Sequence, residues 1–185
     1  MKIMQSWDDG IVSDIRLAEI LRRHQAKASF CLTPGLYDED RSLGWMDDDR
    51  EVWRLARHEL IDVYQGFEIC SHSMTHPYLT DLSADRLDWE LQTSKRILEE
   101  IFQRPVRGFC YPFHACNDFV KEAVHRAGYR WARGREQPDG LYPYADPLEL
   151  HPSCHFLDED FWEKYERWRR GNGLFAFWGH SYEMK

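Results

Sequence analysis

Several features are missing from this chain of 185 residues. It has no apolar run long enough to span a membrane, and Met1-Lys2-Ile3-Met4 leads into polar residues without the apolar segment of a secretory signal. It also lacks a basic surplus, since 24 Lys and Arg face 32 Asp and Glu and the net charge is -8. We therefore expect a cytoplasmic protein with no membrane span and no nucleic-acid partner, because anionic polymers require a basic face.

The cysteines form neither a CxxC pair nor a regular framework, and their number is odd. They are Cys31, Cys70, Cys110, Cys116 and Cys154. We expect reduced and mostly buried thiols, in agreement with a cytoplasmic location. A secreted protein whose leader had been removed would show the same sequence. Cys70 lies two residues before His72, and we interpret it as a small buried apolar residue rather than a ligand.

Short apolar runs alternate with longer amphipathic ones along the chain, which is typical of an α/β fold. The clearest predicted helix covers residues 84–102, and the others cover 12–24, 51–60, 119–127 and 158–170. The predicted strands are 3–7, 27–33, 67–71, 107–113 and 174–178. The acidic stretch between Asp38 and Asp49 is predicted to be a solvated loop. At this length we expect one domain over residues 1–185.

Polar residues follow three of the predicted strands. Asp8 and Asp9 follow the first, His72 follows the third and His180 follows the last. In parallel α/β folds the carboxyl ends of the strands share one rim, so these side chains are expected to converge. His72 and His76 are four residues apart and can face one point. One carboxylate and two imidazoles can hold a zinc-like ion with a position open for water, which leaves a carboxylate and His180 for proton transfer.

The first of these segments also has a structural interpretation. Asp8-Asp9-Gly10 suits a turn in which one Asp caps the next helix. A cap needs only one carboxylate, however, and consecutive residues at a strand end point to different sides. One Asp is therefore available for a metal ion and its neighbour for the attacking water.

The same segments resemble the motifs of the polysaccharide deacetylases, the carbohydrate esterase family that shares the NodB homology domain. Ser6-Trp7-Asp8-Asp9-Gly10 resembles the first motif, usually Thr-Phe-Asp-Asp-Gly, and residues 68–76 resemble the second, with its bracketing histidines. Phe109-Cys110-Tyr111-Pro112-Phe113 resembles the third and Phe177-Trp178-Gly179-His180 the fifth. The resemblance runs in order from residue 3 to the C-terminus. It implies the family fold, an incomplete, distorted parallel (β/α) barrel.

The resemblance also implies a role for each motif residue. Asp8 would be the general base and His180 the general acid. Asp9, His72 and His76 would hold one divalent metal ion, with zinc expected and cobalt, nickel or iron as alternatives. The backbone N–H of Phe113 would help to stabilise the oxyanion, and Trp178 would lie on the substrate side of the site.

The implied reaction is removal of an acetyl group by attack of metal-bound water. The implied substrate is an acetylated carbohydrate, with an N-acetyl amino sugar or an O-acetyl sugar, or a small acetylated molecule. The oligomeric state is left open. Substrate choice is expected to depend on the loops at 36–45 and 135–144.

Three positions depart from the family pattern. Cys110 stands where many members have Arg, so the charge that orients the base is expected to be missing. The fourth motif is not evident between Tyr129 and His155, and Asp146 and Glu149 are candidates to replace its carboxylate beside His180. His114 stands where Gly is usual and is expected to narrow the groove.

Cys110, the missing fourth motif and the short segment after His180 motivate a second hypothesis, a non-catalytic carbohydrate-binding relative. A third hypothesis is a hydrolase of a non-carbohydrate C–N amide bond, because related folds carry out other C–N cleavage. Retention of the five polar residues favours the deacetylase, because a binding module needs neither a base nor an acid.

Overall fold

The computed structural model describes residues 2–136, 145–170 and 173–184, which contain nine strands and five α-helices. The strands are β1 (Lys2–Asp8), β2 (Ser29–Leu32), β3 (Ser42–Asp47), β4 (Arg50–Arg54), β5 (Glu68–Ser71), β6 (Gly108–Cys110), β7 (Trp131–Arg133), β8 (Cys154–His155) and β9 (Leu174–Gly179). The helices are α1 (Asp14–Arg23), α2 (Leu60–Val63), α3 (Ala84–Phe102), α4 (Asp118–Arg126) and α5 (Phe161–Arg169). Most of the predicted substrate loop 135–144 lies outside the described residues.

Seven of the strands form one parallel sheet in the order β7-β6-β5-β2-β1-β9-β8. The sheet curls into a half-barrel, which confirms the predicted α/β class and the incomplete parallel barrel. Strands β2 and β5, near the middle of the sheet, are mostly buried, as expected of parallel strands that are covered on both faces. No helix within the described residues is long and apolar enough to cross a membrane.

Helix α3 has the bounds that its sequence pattern predicts. Ser83 caps its N-terminus by accepting a hydrogen bond from the backbone N–H of Arg86, and Gln103 ends it in a left-handed conformation. Leu87, Leu91 and Leu98 are fully buried against the sheet. Burial of a leucine side chain contributes about 1.5–3 kcal/mol, so this stripe secures the helix beside the strand that delivers His72.

The segment between β2 and β5 folds differently from the prediction. Strands β3 and β4 pair antiparallel as a hairpin whose turn contains Asp48 and Asp49. The predicted loop is therefore present at 38–40 and at 48–49, but residues 42–47 between them form a strand, and the predicted helix at 51–60 is wrong because 50–54 form β4. Val52 is buried while its neighbours Glu51 and Trp53 are exposed, which is the two-residue period of a strand. The backbone N–H of Val12 donates to the Trp53 carbonyl over 2.8 Å. The spacing of apolar residues in this segment also suits a helix, and this hydrogen bond to a distant part of the chain favours the strand instead.

Strands β7 and β8 were not predicted. They contain three and two residues, which is too short for a period of hydrophobicity to be visible in the sequence. Both lie at the edges of the sheet, where pairing with one neighbour defines them. Strand β7 matters for the site because its last residue, Arg133, pairs in register with Cys110 of β6.

Candidate active site

The seven residues that the sequence analysis selects line a single cavity of about 810 Å³ at the carboxyl ends of the strands. They are Asp8, Asp9, His72, His76, Phe113, Trp178 and His180. They come from the ends of β1, β5 and β9 and from the turn after β6. The predicted convergence on one rim is therefore observed.

Asp9, His72 and His76 direct their ligand atoms toward one point. The two Nε2 atoms of the histidines are 3.0 Å apart, and Asp9 Oδ1 lies 3.9 Å from His72 Nε2 and 3.7 Å from His76 Nε2. Tetrahedral zinc bonds of about 2.0–2.2 Å separate neighbouring donor atoms by roughly 3.3–3.6 Å. The three observed distances bracket this range. The donor set therefore fits a tetrahedral divalent ion such as zinc.

A backbone carbonyl orients the buried histidine of this group. His72 Nδ1 lies 2.8 Å from the carbonyl oxygen of Cys110, which only accepts, so Nδ1 carries the proton and donates it. In the neutral ring, the lone pair of Nε2 then points toward the position that the ligand atoms of Asp9 and His76 also face. Hydrogen bonding of the distal nitrogen in this way is the usual support of a metal-binding histidine.

The electrostatics of the two histidines also suit a cation. Burial lowers the pKa of His72, but Cys110, Asp8 and Asp9 raise it more strongly, to about 10. Burial and the neighbouring His72 lower the pKa of His76 to about 4. Without an ion, the negative surroundings thus draw one proton between the two rings. A divalent cation between the same atoms would satisfy the negative groups in place of that proton.

The loop that carries His76 is held by a buried carboxylate. Ser73 and His76 both have positive φ values, 65° and 58°, a conformation that is costly for residues other than glycine. Glu90 of α3 is fully buried and accepts hydrogen bonds from the backbone N–H groups of Met74 and Thr75, each over 2.8 Å. Glu90 is not among the residues predicted from the sequence. Its position among the buried leucines of α3 is the signal that identifies it.

We expect Glu90→Gln to weaken metal binding by about 10- to 100-fold, the usual effect of losing a residue that supports a metal ligand. The glutamine amide would direct its NH₂ group toward N–H donors and release the strained loop. Zinc affinity measured by chelator competition provides the readout. Glu100→Gln is the matched control, because Glu100 lies on the same helix and pairs with Arg96 at the surface. Equal affinity in the two variants would exclude a positioning role for Glu90.

Asp8 is buried against Arg133, which is not among the residues predicted from the sequence. Asp8 and Arg133 are each 2% exposed, and Arg133 Nη2 forms an ion pair with Asp8 Oδ2. The guanidinium reaches Asp8 past Cys110 and also contacts its Sγ. The expectation that the positive charge beside the base is missing is therefore wrong. The charge comes from Arg133 at the end of β7 and not from a residue of β6. The two strands are neighbours, and their paired residues are 23 positions apart in the sequence.

The ion pair keeps Asp8 ionised. Burial alone would raise the pKa of Asp8, but the Arg133 guanidinium, with smaller effects of His72 and His180, holds it well below its usual range. The guanidinium also packs over the ring of Trp178, with 4.8 Å between its Cζ and the ring centroid. Trp178 therefore lines the cavity and supports the partner of Asp8 at the same time.

His180 is paired with Glu183, which lies three residues later. His180 Nδ1 donates to Glu183 Oε2 over 3.1 Å, and the backbone N–H of His180 donates to the same oxygen over 2.8 Å. Burial lowers the pKa of His180, but Glu183 raises it above its ordinary value. His155 Nε2 lies 3.0 Å from the same carboxylate. The raised pKa favours the protonated ring, with Nε2 on the side of Asp9.

The sequence candidates for this carboxylate are wrong. Asp146 and Glu149 pair with Lys121 at 3.0 and 3.2 Å instead of with His180. The signal for Glu183 was present, since a carboxylate three residues after a histidine reaches back to it in a tight turn. Asp146 and Glu149 lie in the segment between Tyr129 and His155, where the family usually carries its fourth motif, whereas Glu183 follows His180.

Phe113 and His114 both adopt left-handed conformations, with φ values of 54° and 55°. No hydrogen bond among the described residues uses the backbone N–H of Phe113, which leaves it available to a ligand. The Phe113 ring stacks on Tyr78 with 4.1 Å between centroids and meets His76 edge-on at 4.5 Å. The His114 ring lines the cavity and packs edge-on against Trp178.

Comparison with known sequences gives one family. The profile described as polysaccharide deacetylase matches residues 1–132. No curated protein sequence matches the chain significantly.

Several solved structures share the fold. Deacetylase PplD of Streptococcus pyogenes, solved in complex with acetate, is 22% identical with a TM-score of 0.63 over 79% of this chain and 61% of that one. The family 4 carbohydrate esterase of Streptomyces lividans, also with acetate, is 15% identical with a TM-score of 0.61 over 97% and 79%. The BpsB deacetylase domain of Bordetella bronchiseptica is 13% identical with a TM-score of 0.63 over 95% and 72%. This chain spans less than two thirds of the length of the first.

Proposed function

Since this chain belongs to the polysaccharide deacetylase family, we propose that it hydrolyses an acetyl group from an acetylated carbohydrate with the help of a divalent metal ion. The observation that carries the proposal is the complete set of groups in one cavity. Asp9, His72 and His76 form the ligand set, Asp8 is an ionised carboxylate, and His180 is a histidine paired with a second carboxylate.

Asp9, His72 and His76 would hold a divalent ion, which would act as a Lewis acid that polarises the acetyl carbonyl and lowers the pKa of water to about 7. The residues of the chain move the protons. Asp8 accepts a proton from the attacking water, and its depressed pKa keeps it available as a base over the neutral range. The backbone N–H of Phe113 donates to the oxygen that becomes negative during attack.

His180 completes the reaction. Glu183 holds Nδ1, so Nε2 is free to donate a proton to the leaving nitrogen or oxygen as its bond to the acetyl carbon breaks. The products are acetate and the free amine or alcohol of the carbohydrate. The elevated pKa of His180 agrees with the role of an acid.

Acetate release provides the direct test of this proposal. The zinc-loaded protein is incubated with chitin oligomers, peptidoglycan fragments and acetylated xylan, together with a small N-acetyl amine that carries no sugar. We expect release from at least one carbohydrate, loss of release with a chelator, and recovery when zinc is added back. Release from the small amine alone would favour the amide hydrolase, and absence of release from all substrates would contradict the proposal.

Two contacts count against the alternative of a non-catalytic relative. That hypothesis rests in part on the missing charge at Cys110 and the missing fourth-motif carboxylate. Arg133 lies beside Asp8, and Glu183 lies beside His180. Each missing group therefore has a substitute in direct contact with Asp8 or His180, which supports the proposed activity.

A further inference from the structure

The β3–β4 hairpin forms a fixed wall of the cavity. Its backbone is joined to the loop that follows Asp9, because the N–H of Val12 donates to the Trp53 carbonyl and the N–H of Leu55 donates to the Gly10 carbonyl. Two hairpin side chains, Trp45 and Arg54, line the cavity. The wall is thus held close to the residues that would carry out the reaction.

Arg54 occupies a prepared position on this wall. Its guanidinium lies over the ring of Trp45, with 5.4 Å from Cζ to the ring centroid. The pairing of β3 with β4 shifts register at Gly44, and a Cβ atom there would lie 3.2 Å from Arg54 Nη1. The missing side chain of Gly44 therefore leaves the space through which the guanidinium extends. Trp45 in turn packs edge-on against Tyr182 at 5.4 Å, which fixes the platform.

Arg54 is also the cationic side chain of the cavity that forms no ion pair with a described residue, since it acts on Asp9 only from beyond ion-pairing distance. Asp8 pairs with Arg133, and Asp9 faces the histidines. Arg54 makes one long hydrogen bond, 3.5 Å from Nη1 to the Leu43 carbonyl, and no carboxylate of the described residues lies within ion-pairing distance of it. A guanidinium has five N–H donors in a planar fork that matches carboxylate and phosphate oxygens. Most of these donors are free to bind a ligand.

We infer that Arg54 binds an anionic substituent, a carboxylate or a phosphate ester, on the acetylated sugar. The inference rests on the proposed function, because it names the class of substrate for that site. The net charge of the chain is -8, so an anionic substrate needs a local cation in order to bind. The wall places that cation in the cavity in which the acetyl group would react.

The test compares three oligosaccharides of equal length that differ in one substituent. The first is a neutral N-acetylglucosamine oligomer, the second contains one N-acetylmuramic acid unit, and the third carries one 6-phosphate. Binding is measured by calorimetry on zinc-loaded protein in the Asp8→Asn background, and acetate release is measured in the otherwise unchanged protein. Adding Arg54→Gln to this background is expected to weaken binding of the preferred anionic oligomer, the one that the parent protein binds more tightly, at least tenfold. Binding of the neutral oligomer should stay unchanged. The preferred anion identifies carboxylate or phosphate.

Two further variants sharpen the comparison. Arg54→Lys keeps the charge but loses the planar fork, and it is expected to bind with intermediate affinity. Arg50→Gln is the matched control, because Arg50 lies on the same strand and pairs with Asp47 at 2.5 Å. It should leave all three affinities unchanged.

The inference is overturned if Arg54→Gln weakens the neutral and anionic oligomers equally, or weakens none of them. Retained acetate release from the neutral oligomer in that case would leave the proposed function intact. Conversely, selective loss of anion binding without acetate release by the parent protein would support the inference and contradict the proposed function.

Discussion

Asp8→Asn is expected to lower acetate release by about 10³-fold while the protein still binds zinc. An amide of the same shape cannot accept the proton of the attacking water, and loss of a general base typically costs about 10²- to 10⁴-fold. The ligand atoms of Asp9, His72 and His76 remain in place, so metal affinity should be retained. Acetate release and zinc content are measured on the same preparation.

His76→Ala is the comparison that separates the two roles. It removes one ligand, so zinc content and acetate release should both fall. Full activity in Asp8→Asn would show that another group is the base. Because the amide leaves the Arg133 charge buried without its partner, urea unfolding must show that the variant is folded at the assay temperature.

Arg133→Met is expected to cost about 3–5 kcal/mol of unfolding free energy, since it leaves the Asp8 carboxylate buried without a partner. It is also expected to move the acidic limb of kcat/KM to higher pH. In the wild type, the folded-state pKa of Asp8 is below that of the unfolded chain, so its contribution to stability is present above about pH 4 and is lost as the pH falls through the folded-state pKa. Without Arg133, burial dominates and raises the pKa of Asp8.

The charge can also be relocated. Cys110 Sγ lies 3.9 Å from both carboxylate oxygens of Asp8. In the double variant Cys110→Arg with Arg133→Ala, the new guanidinium would therefore approach the same carboxylate from β6. The double variant should recover part of the activity and move the acidic limb back toward the wild type. Arg130→Met, a change of an exposed arginine next to β7, should alter neither. An unchanged acidic limb in Arg133→Met would show that Arg133 does not control Asp8.

Parts of the fold were predictable because the information is local. Helix α3 shows its period over five turns, and its cap and its end are both visible in the sequence. The hairpin was not predictable, because the apolar residues around Val52 fit both the 3.6-residue period of a helix and the two-residue period of a strand. The hydrogen bonds to the loop after β1 select the strand. The two edge strands were too short to show any period.

By itself, the sequence determined the motif residues and their convergence, because parallel strands bring their carboxyl ends to one rim whatever the details of packing. It did not determine which groups control the base and the acid. Arg133 meets Asp8 across 125 positions through the register of β7 with β6, and Glu183 meets His180 through a turn that only the folded chain shows. Arg54 enters the cavity because the hairpin is anchored beside Asp9. Charge partners follow three-dimensional distance, since the interaction between ions depends on their separation and burial and not on their order in the chain.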